Sequence, residues 1–140
     1  MNFEPKVTNR AAFVALWHNG ELLVLQSRKW REEGTPYLLP GGGCKQGEDQ
    51  RDCVQREVLE ETGLLVDRNS VVFIGTHETQ WSNCSFYEYE LNLADPLIIL
   101  EQKLFGYEWW NFEKDRKRIE ALKPFMMPGL KWYLEQKGLL

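Results

Sequence analysis

Three glutamates in the middle of the chain could together bind a metal ion. Glu57, Glu60 and Glu61 lie in a stretch that contains no Gly or Pro and is rich in helix-forming residues. At about 100° per residue of an α-helix, the three side chains share an arc of about 100° beside an apolar face. Like charges at this spacing repel one another, so a bound divalent cation is the expected compensation. Mg²⁺ takes such carboxylate oxygens as ligands, together with the phosphates of a substrate.

A solvated acidic helix face is the alternative explanation, and it would be preferred if the three glutamates stood alone. Two neighbouring features favour the metal site. Upstream, Gly41-Gly42-Gly43 is predicted to be a loop, whose backbone N–H and C=O groups could approach an anion or a metal closely. Glu48 adds a fourth carboxylate, and Arg56 lies one helical turn before Glu60, where it can hold that side chain through an ion pair.

The composition indicates one folded domain that covers residues 1–140. Apolar residues make up 43% of the chain and charged residues 27%, values that are typical of globular proteins. The net charge of -4 argues against a broad basic surface for nucleic acid or for an anionic membrane. Bound divalent cations would therefore have to neutralise a polyphosphate substrate.

The cysteines and the N-terminus bear on the cellular compartment. Cys44, Cys53 and Cys84 are odd in number and lack a paired C-x-x-C spacing, so neither a zinc site nor a disulfide framework is indicated. The N-terminal residues contain no apolar segment of signal-peptide length, and no run approaches the roughly 18 apolar residues of a membrane span. We therefore predict a cytoplasmic, soluble protein with reduced thiols and no association with membranes.

The rest of the sequence predicts the elements that must position the acids. Residues 7–17 are mostly β-branched, aromatic or small and apolar, and Asn19-Gly20 then predicts a tight turn before the apolar run 22–25. This pattern predicts a β-hairpin. Residues 27–36 are polar and charged, which predicts a loop leading to Tyr37 and the glycines.

The second half of the chain predicts one long helix, further strands and a terminal helix. Residues 49–62 predict the central helix, and Gly63 predicts its end in the left-handed conformation. The later predicted segments are strands at 71–74 and 85–93 with a polar turn at Ser82-Asn83 between them, a short strand at 107–112, a helix beginning within 113–122, and an amphipathic helix from Pro128. The predicted order is therefore strands, one central helix, further strands and a terminal helix.

The spacing of the glycines, acids and arginine resembles the signature of one family. Gly42, five residues, Glu48, seven residues, Arg56-Glu57-Val58, one residue, Glu60-Glu61, one residue and Gly63-Leu64 match the Nudix box completely. The preceding Leu39-Pro40-Gly41 also resembles the lead-in common in that family. The motif covers 23 of the 140 residues, and the order of the elements extends the likeness over nearly the whole chain with less specificity.

The resemblance implies a fold and a reaction. Nudix hydrolases share an α/β/α sandwich with a mixed β-sheet, and the box forms a loop–helix–loop between strands. Members cleave a nucleoside diphosphate linked to another moiety, such as a nucleoside triphosphate, a dinucleotide or a nucleotide sugar. Water attacks phosphorus in the presence of Mg²⁺ or Mn²⁺, and the metal neutralises phosphate oxygens and lowers the pKa of a bound water.

The resemblance also assigns roles to residues. Glu57, Glu60 and Glu61 resemble the metal-binding acids, and the backbone carbonyl of Gly41 resembles a further ligand. Arg56 and Glu48 would orient this constellation.

Two acids are the main candidates for the general base. Some family members use a glutamate of the box, and others use an acid from a later loop. Glu57 is the first candidate here and Glu101, in the loop before Trp109-Trp110, is the second, with Glu108 a weaker third. A base must lie within hydrogen-bonding reach of the attacking water, which a sequence cannot reveal.

Substrate contacts are predicted from aromatic and basic residues outside the acids. A nucleotide base could stack on an aromatic side chain, although packing in the core is the more common role of such residues. The aromatic candidates are Trp30, Tyr37, Trp81, Trp109 and Trp110. Arg28, Lys29 and Arg31 could contact a distal phosphate or sugar, or could simply be solvated. Lys45 stands where many relatives have Glu and could touch a phosphate, although a solvated loop lysine is the simpler explanation.

Two further hypotheses concern activity and assembly. The chain could be a catalytically silent nucleotide-binding or protein-interaction module, but such modules usually lose one of the acids Glu57, Glu60 and Glu61, and all three are present. The protein is expected to be a monomer or a homodimer, and the aromatic segment 109–112 could serve as an interface.

Overall fold

A computed structural model describes residues 9–78 and 82–140, which form one β-sheet with helices on both faces. The strands are β1 (Asn9–His18), β2 (Glu21–Ser27), β3 (Tyr37–Leu38), β4 (Gly41–Gly43), β5 (Val72–Glu78), β6 (Ser82–Glu90) and β7 (Leu104–Trp110). The helices are α1 (Arg28–Glu32), α2 (Gln50–Thr62), α3 (Arg116–Ala121) and α4 (Pro128–Gln136), with a 3₁₀ turn at Lys123–Phe125. None of the helices in the described ranges is long and apolar enough to cross a membrane.

The sheet is mixed, with β1 at its centre. The strand order is β3-β2-β1-β6-β5, and β7 pairs with β2. β1 and β6 run parallel, whereas the other pairs are antiparallel. β2 pairs with β1 only from Trp17↔Leu22 to His18↔Glu21, so the first half of β1 is available to β4, from Ala11↔Gly43 to Phe13↔Gly41. This split places the glycines next to the centre of the sheet.

Alternation along the strands separates two cores, because successive side chains point to opposite faces. In β1, Ala12, Val14 and Leu16 belong to the core that includes Val54 and Val58 of α2. Ala15, which lies between Val14 and Leu16, belongs to the core on the other face, where α4 packs. The buried residues of α4 are Leu130, Tyr133 and Leu134. The predicted α/β/α sandwich with a mixed sheet is confirmed.

Local signals set the ends of the hairpin and of the central helix. Asn19 and Gly20 have φ angles of 50° and 77°, as a two-residue turn with left-handed backbone requires. Asp49 caps α2 by accepting a hydrogen bond from Arg51 N at 2.8 Å. Gly63 ends the helix at φ 73°, and its N–H donates to Leu59 O at 3.0 Å. The predicted hairpin and central helix are therefore confirmed, with α2 beginning one residue later than expected.

Three local predictions are wrong. Residues 28–32 form the helix α1, capped by Ser27, where a loop was expected, because a five-residue helix is too short to leave a periodic pattern. The glycines 41–43 form the strand β4, because their backbone pairs with β1. Ser82 and Asn83 do not form a turn, since both lie in β6 and pair with Asn9 and Arg10 of β1.

Candidate active site

Two of the three glutamates on α2 are buried against the glycine strand. Glu57 and Glu61 lie on successive helical turns and are only 8% and 1% exposed. Gly41 N donates a hydrogen bond to Glu61 Oε1 at 2.7 Å. A Cβ atom at Gly42 would lie 2.9 Å from the carboxyl carbon of Glu57. The absence of side chains on β4 therefore allows the sheet to approach both carboxylates.

Gly41 could not be replaced by another residue without displacing the sheet. Its φ angle is 140°, which residues with a side chain rarely adopt, and a Cβ atom there would lie 2.2 Å from Ala12 O. This conformation directs the N–H of Gly41 to Glu61. The assignment of the Gly41 carbonyl as a metal ligand stays a prediction.

Arg56 connects the acids of the site to one another. Its Nε and Nη2 atoms each donate to Glu48 at 2.9 Å, and Nη1 donates to Glu57 at 3.0 Å and to Glu60 at 3.3 Å. Nη2 also donates to Gly43 O at 3.1 Å. The hydrogen bonds from Arg56 lower the pKa of Glu48 to about 2. The same bonds raise the pKa of Arg56, so the ion pair between Arg56 and Glu48 stays charged near neutral pH.

The loop that carries Glu48 is fixed by backbone contacts. Lys45 N donates to Glu48 Oε1 at 3.0 Å, and Arg10 Nη2 donates to the carbonyl oxygens of Glu48 and Lys45 at 2.8 and 3.2 Å. The Lys45 side chain is exposed, and its contact with a phosphate stays a prediction. Sequence reasoning missed Arg10, because no local pattern links it to a loop more than 30 residues away.

Glu61 is the most electrostatically perturbed acid of the site. Burial raises its pKa to about 8, and the negative charges of Glu57 and Glu101 add to the rise. The hydrogen bond from Gly41 N and the charge of Lys103 act in the opposite direction. Two buried carboxylates on adjacent turns, both with hard oxygen donors, fit a divalent cation such as Mg²⁺, because the cation would remove the cost of their ionisation.

The raised pKa of Glu61 predicts that the metal-free protein loses stability with rising pH. The pKa lies above the ordinary value of 4.5, so the folded chain retains a proton that the unfolded chain releases. This contribution to the free energy of unfolding is fully present below about pH 4.5 and is lost as the pH rises through about 8. We expect Glu61→Gln, which keeps an acceptor for Gly41 N, to remove this contribution.

Thermal unfolding in EDTA at pH 6 and pH 8 measures the effect as the difference in Tm between wild type and Glu61→Gln. Relative to the wild-type Tm, the Tm of Glu61→Gln should be higher at pH 8 than at pH 6. Added Mg²⁺ should raise the wild-type Tm more at pH 8 than at pH 6. An equal response of the two proteins to pH would contradict this assignment.

The segment before β7 brings a further carboxylate to the site. Glu101 N donates to Glu61 O at 3.1 Å, and Ile99 N donates to Thr62 O at 2.9 Å, so this segment lies against the end of α2. Glu101 Oε2 is buried and accepts no hydrogen bond from the described residues, although Lys103 Nζ lies 3.5 Å away. The choice between Glu57 and Glu101 as general base stays a prediction.

Glu108 is occupied by structural contacts. Arg118 Nη2 lies 2.6 Å from its Oε1 atom, Gln26 Nε2 donates to Oε2 at 2.7 Å, and Trp110 Nε1 donates to Oε1 at 3.2 Å. These contacts connect β7 to β2 and α3. They argue against Glu108 as a base, because a base needs a free oxygen for the proton.

A pocket of about 720 Å³ adjoins Glu61 and the glycine strand. Lys29, Trp30 and Lys103 also line it. Sequence reasoning missed Lys103, because its place depends on the contact between its segment and α2. The pocket is the natural place for a substrate, since its volume falls within the usual range for ligand sites.

The predicted substrate residues are distributed over the fold. Arg28 is exposed, and its Nε donates to Gln102 O at 3.0 Å. Tyr37 packs on Trp110, which is core, with ring centroids 5.4 Å apart. Trp109 packs on His18 at 5.8 Å. Arg28, Tyr37, Lys45 and Trp109 do not contribute to the pocket lining, and Trp81 lies outside the described residues. Their substrate contacts stay predictions.

A second cluster of potential ligands lies next to the acids. The ligand atoms of Cys44, Glu48 and Cys53 lie within 4.8 Å of one another. Burial raises the pKa of both thiols, so they are protonated near neutral pH. Glu48 is already bound through both oxygens to Arg56. We therefore assign these side chains to packing around the box rather than to a metal.

Comparison with known proteins identifies the family. Residues 7–130 match the NUDIX domain. Nudix hydrolase 1 of Caenorhabditis elegans is 31% identical over 110 residues, which cover 76% of this chain and 29% of that protein. An RNA pyrophosphohydrolase of Dinoroseobacter shibae is 36% identical over 59 residues, 42% of this chain and 36% of that protein. The chain spans about a third of the length of these curated relatives. This protein belongs to the Nudix family.

Solved structures support the fold. An Ap4A hydrolase of Caenorhabditis elegans has a TM-score of 0.67 at 17% identity, with 94% of this chain and 96% of that chain covered. A NUDIX hydrolase of Nitrosomonas europaea has a TM-score of 0.68 at 19% identity, with 94% and 88% covered. At such identities the likeness concerns the fold alone, and it extends over nearly the whole chain.

Proposed function

We propose that this protein is a Mg²⁺-dependent pyrophosphohydrolase that cleaves a nucleoside diphosphate linked to another moiety. The observation that carries the proposal is the buried pair Glu57 and Glu61, which lies against the glycine strand. Glu61 of this pair also borders a ligand-sized pocket. The names of two similar proteins, an RNA pyrophosphohydrolase and an Ap4A hydrolase, support a phosphoanhydride substrate. As the sequence predicts, the enzyme would act in the cytoplasm as a monomer or a homodimer.

Each residue of the box would have a distinct task. Glu57, Glu60, Glu61 and the carbonyl of Gly41 would hold Mg²⁺, or Mn²⁺ in its place. When bound, the cation supplies positive charge to the phosphate oxygens and to the attacking water. Arg56 would keep Glu57 and Glu60 oriented through the hydrogen bonds it already makes, and Glu48 would fix Arg56.

The proton of the attacking water needs an acceptor among the acids. Glu57 or Glu101 would take it as the water oxygen bonds to phosphorus and the bond to the leaving phosphate oxygen breaks. The buried Oε2 atom of Glu101 supports the second choice, because it accepts no hydrogen bond from the described residues. Glu57 is supported by its place in the acid pair on α2.

A substrate screen tests the proposal. The wild type is incubated with Mg²⁺ and nucleoside triphosphates, dinucleotides or nucleotide sugars, and released phosphate or pyrophosphate is measured. We expect turnover of at least one class, loss of turnover in EDTA, and restoration by Mg²⁺ or Mn²⁺. Glu57→Gln serves as the blank for contaminating phosphatases.

If the wild type turned over every substrate as slowly as Glu57→Gln, the enzyme proposal would be lost. Calorimetry with the same nucleotides would then measure binding alone. Nucleotide binding without turnover would identify the chain as a silent module.

A further inference from the structure

Residues 45–48 form a tight turn between β4 and α2. Glu48 N donates to Lys45 O at 3.0 Å, and Gly47 has a φ angle of 76°, which a glycine at the third position of such a turn adopts readily. Lys45 N also donates to the side chain of Glu48 at 3.0 Å. The turn therefore holds the Glu48 carboxylate in a fixed position relative to its own backbone.

One nitrogen atom of Arg10 joins both ends of this turn to the sheet. Nη2 donates to Glu48 O at 2.8 Å and to Lys45 O at 3.2 Å. The backbone of Arg10 holds the start of the same loop, because Cys44 N donates to Arg10 O at 2.8 Å. Arg10 belongs to β1, the central strand, which pairs with both β4 and β6. Arg10 thus fixes the place of the turn relative to the centre of the sheet.

The place of the turn matters for the acids on α2, because Glu48 anchors Arg56. Both carboxylate oxygens of Glu48 accept hydrogen bonds from Arg56 at 2.9 Å. Nη1 of Arg56 donates to Glu57 at 3.0 Å and to Glu60 at 3.3 Å. A displaced turn would draw the guanidinium with it, since a bidentate pair restricts both of its side chains. Hydrogen bonds therefore connect Arg10 to the acids through Glu48 and Arg56.

We propose that Arg10 is a positioning residue of the metal site, which acts through Glu48 and Arg56 on the carboxylates of α2. The proposal rests on the proposed function, because it assumes that these carboxylates bind a divalent cation. Groups that orient the ligands of a metal commonly change its affinity by about tenfold or more. Arg10 lies outside the box, so the metal site would depend on a residue that the family signature does not include.

Charge and position predict opposite effects for the removal of Arg10. If only the Coulomb interaction mattered, removing a positive charge near the site would strengthen the binding of a cation. Loss of the hydrogen bonds to the turn should instead weaken binding, because the acids would no longer be held in one arrangement. Arg10→Met keeps the apolar part of the side chain and removes its donors. Weaker metal binding by this variant would therefore identify an effect of position.

Arg51 provides a matched control. Its Nη1 atom also donates to two backbone carbonyl oxygens three residues apart, those of Arg68, at 3.2 Å, and of Val71. Arg10 and Arg51 are both half-buried. The carbonyl groups bound by Arg51 belong to the segment after α2 and not to the turn of Glu48. Arg51→Met therefore removes the same charge and the same kind of contact without releasing that turn.

Binding of Mn²⁺ measures metal affinity without turnover, because the free ion has a distinct electron paramagnetic resonance signal. Circular dichroism selects a temperature at which each variant is folded. Arg10→Met should raise the Kd for Mn²⁺ about tenfold. Arg51→Met should leave it within about twofold of the wild-type value. In the Glu48→Ala background, Arg10→Met should change the Kd by less than about twofold, because the connection to Arg56 is already broken.

Three results would overturn the inference and leave the hydrolase proposal intact. They are unchanged or tighter binding of Mn²⁺ by folded Arg10→Met, an equal loss of affinity in Arg51→Met, and an undiminished effect of Arg10→Met in the Glu48→Ala background. If Arg10→Met does not fold, Arg10→Gln replaces it, because its shorter side chain cannot reach the turn. Arg10→Gln should also bind Mn²⁺ more weakly than the wild type, and equal binding would overturn the inference.

The wild type separates the inference from the proposed function. If the wild type binds no Mn²⁺, the metal site, the hydrolase proposal and the role of Arg10 all fail. If it binds Mn²⁺ but turns over no nucleotide, the hydrolase proposal alone fails, and the binding constants of the variants still decide the role of Arg10.

Discussion

Replacing Glu57 with glutamine is expected to lower kcat at least about 10³-fold. Glu57 is buried beside Gly42, receives a hydrogen bond from Arg56 at 3.0 Å, and contributes negative charge next to Glu61. Glutamine has nearly the same shape but carries no charge, so it would weaken Mg²⁺ binding and could not take a proton from water. Titration of Mg²⁺ against initial rate would show a raised half-saturation concentration.

Comparison of Glu57→Gln with Glu101→Gln at saturating Mg²⁺ should identify the base. The variant that lacks the base should keep a low kcat when metal is saturating and should lose the rising limb of the pH profile of kcat. The other variant should retain that limb. Glu113→Gln is a suitable control, because Glu113 is an exposed residue after β7. Less than a tenfold loss of kcat in both variants would remove both acids as candidates.

Replacing Arg56 with methionine is expected to damage both stability and activity. Arg56 binds Glu48, Glu57 and Glu60, and its replacement would leave these carboxylates without the positively charged guanidinium that they share. Because the Arg56 side chain is still 22% exposed, we expect the free energy of unfolding to fall by only about 2 kcal/mol. Loss of orientation among the acids should reduce kcat/KM by about 10²-fold.

Two further variants separate geometry from charge. Arg56→Lys keeps the charge but cannot donate to both oxygens of Glu48, so it should recover stability better than activity. Arg68 also pairs with two acids, Asp49 and Asp52, but its side chain is 35% exposed and so is more open to solvent than that of Arg56. Arg68→Met should therefore lower the free energy of unfolding by less than about 1 kcal/mol. Urea denaturation measures these changes, and equal losses for the two methionine variants would contradict the assigned role of Arg56.

Several elements could be predicted because short sequence signals mark the residues where they begin or end. Asn19-Gly20 encodes the hairpin turn, Asp49 and Gly63 encode the ends of α2, and Pro128 encodes the start of α4. Glu57, Glu60 and Glu61 lie within one helix, so their common arc followed from helical geometry. The burial of Glu57 and Glu61 but not of Glu60 required the position of β4, which only the fold provides.

Features that depend on distant pairing could not be predicted. The glycines of β4 become a strand only because β2 leaves the first half of β1 unpaired. Arg10 reaches the loop of Glu48 through the same arrangement. Lys103 reaches the pocket because the segment before β7 follows the end of α2. No local propensity specifies such contacts.

The central position of β1 also has a consequence for the order of folding. β1 forms its parallel pair with β6, so Phe13 meets Phe86 only when more than half of the chain is available. Contacts between residues far apart in sequence form slowly, because a long loop must close before they become favourable. The helix α2 can begin to form early, since its bonds are local. The glycine strand acquires its support only when β1 is held between β4 and β6, so the acids should reach their final positions in a late step of folding.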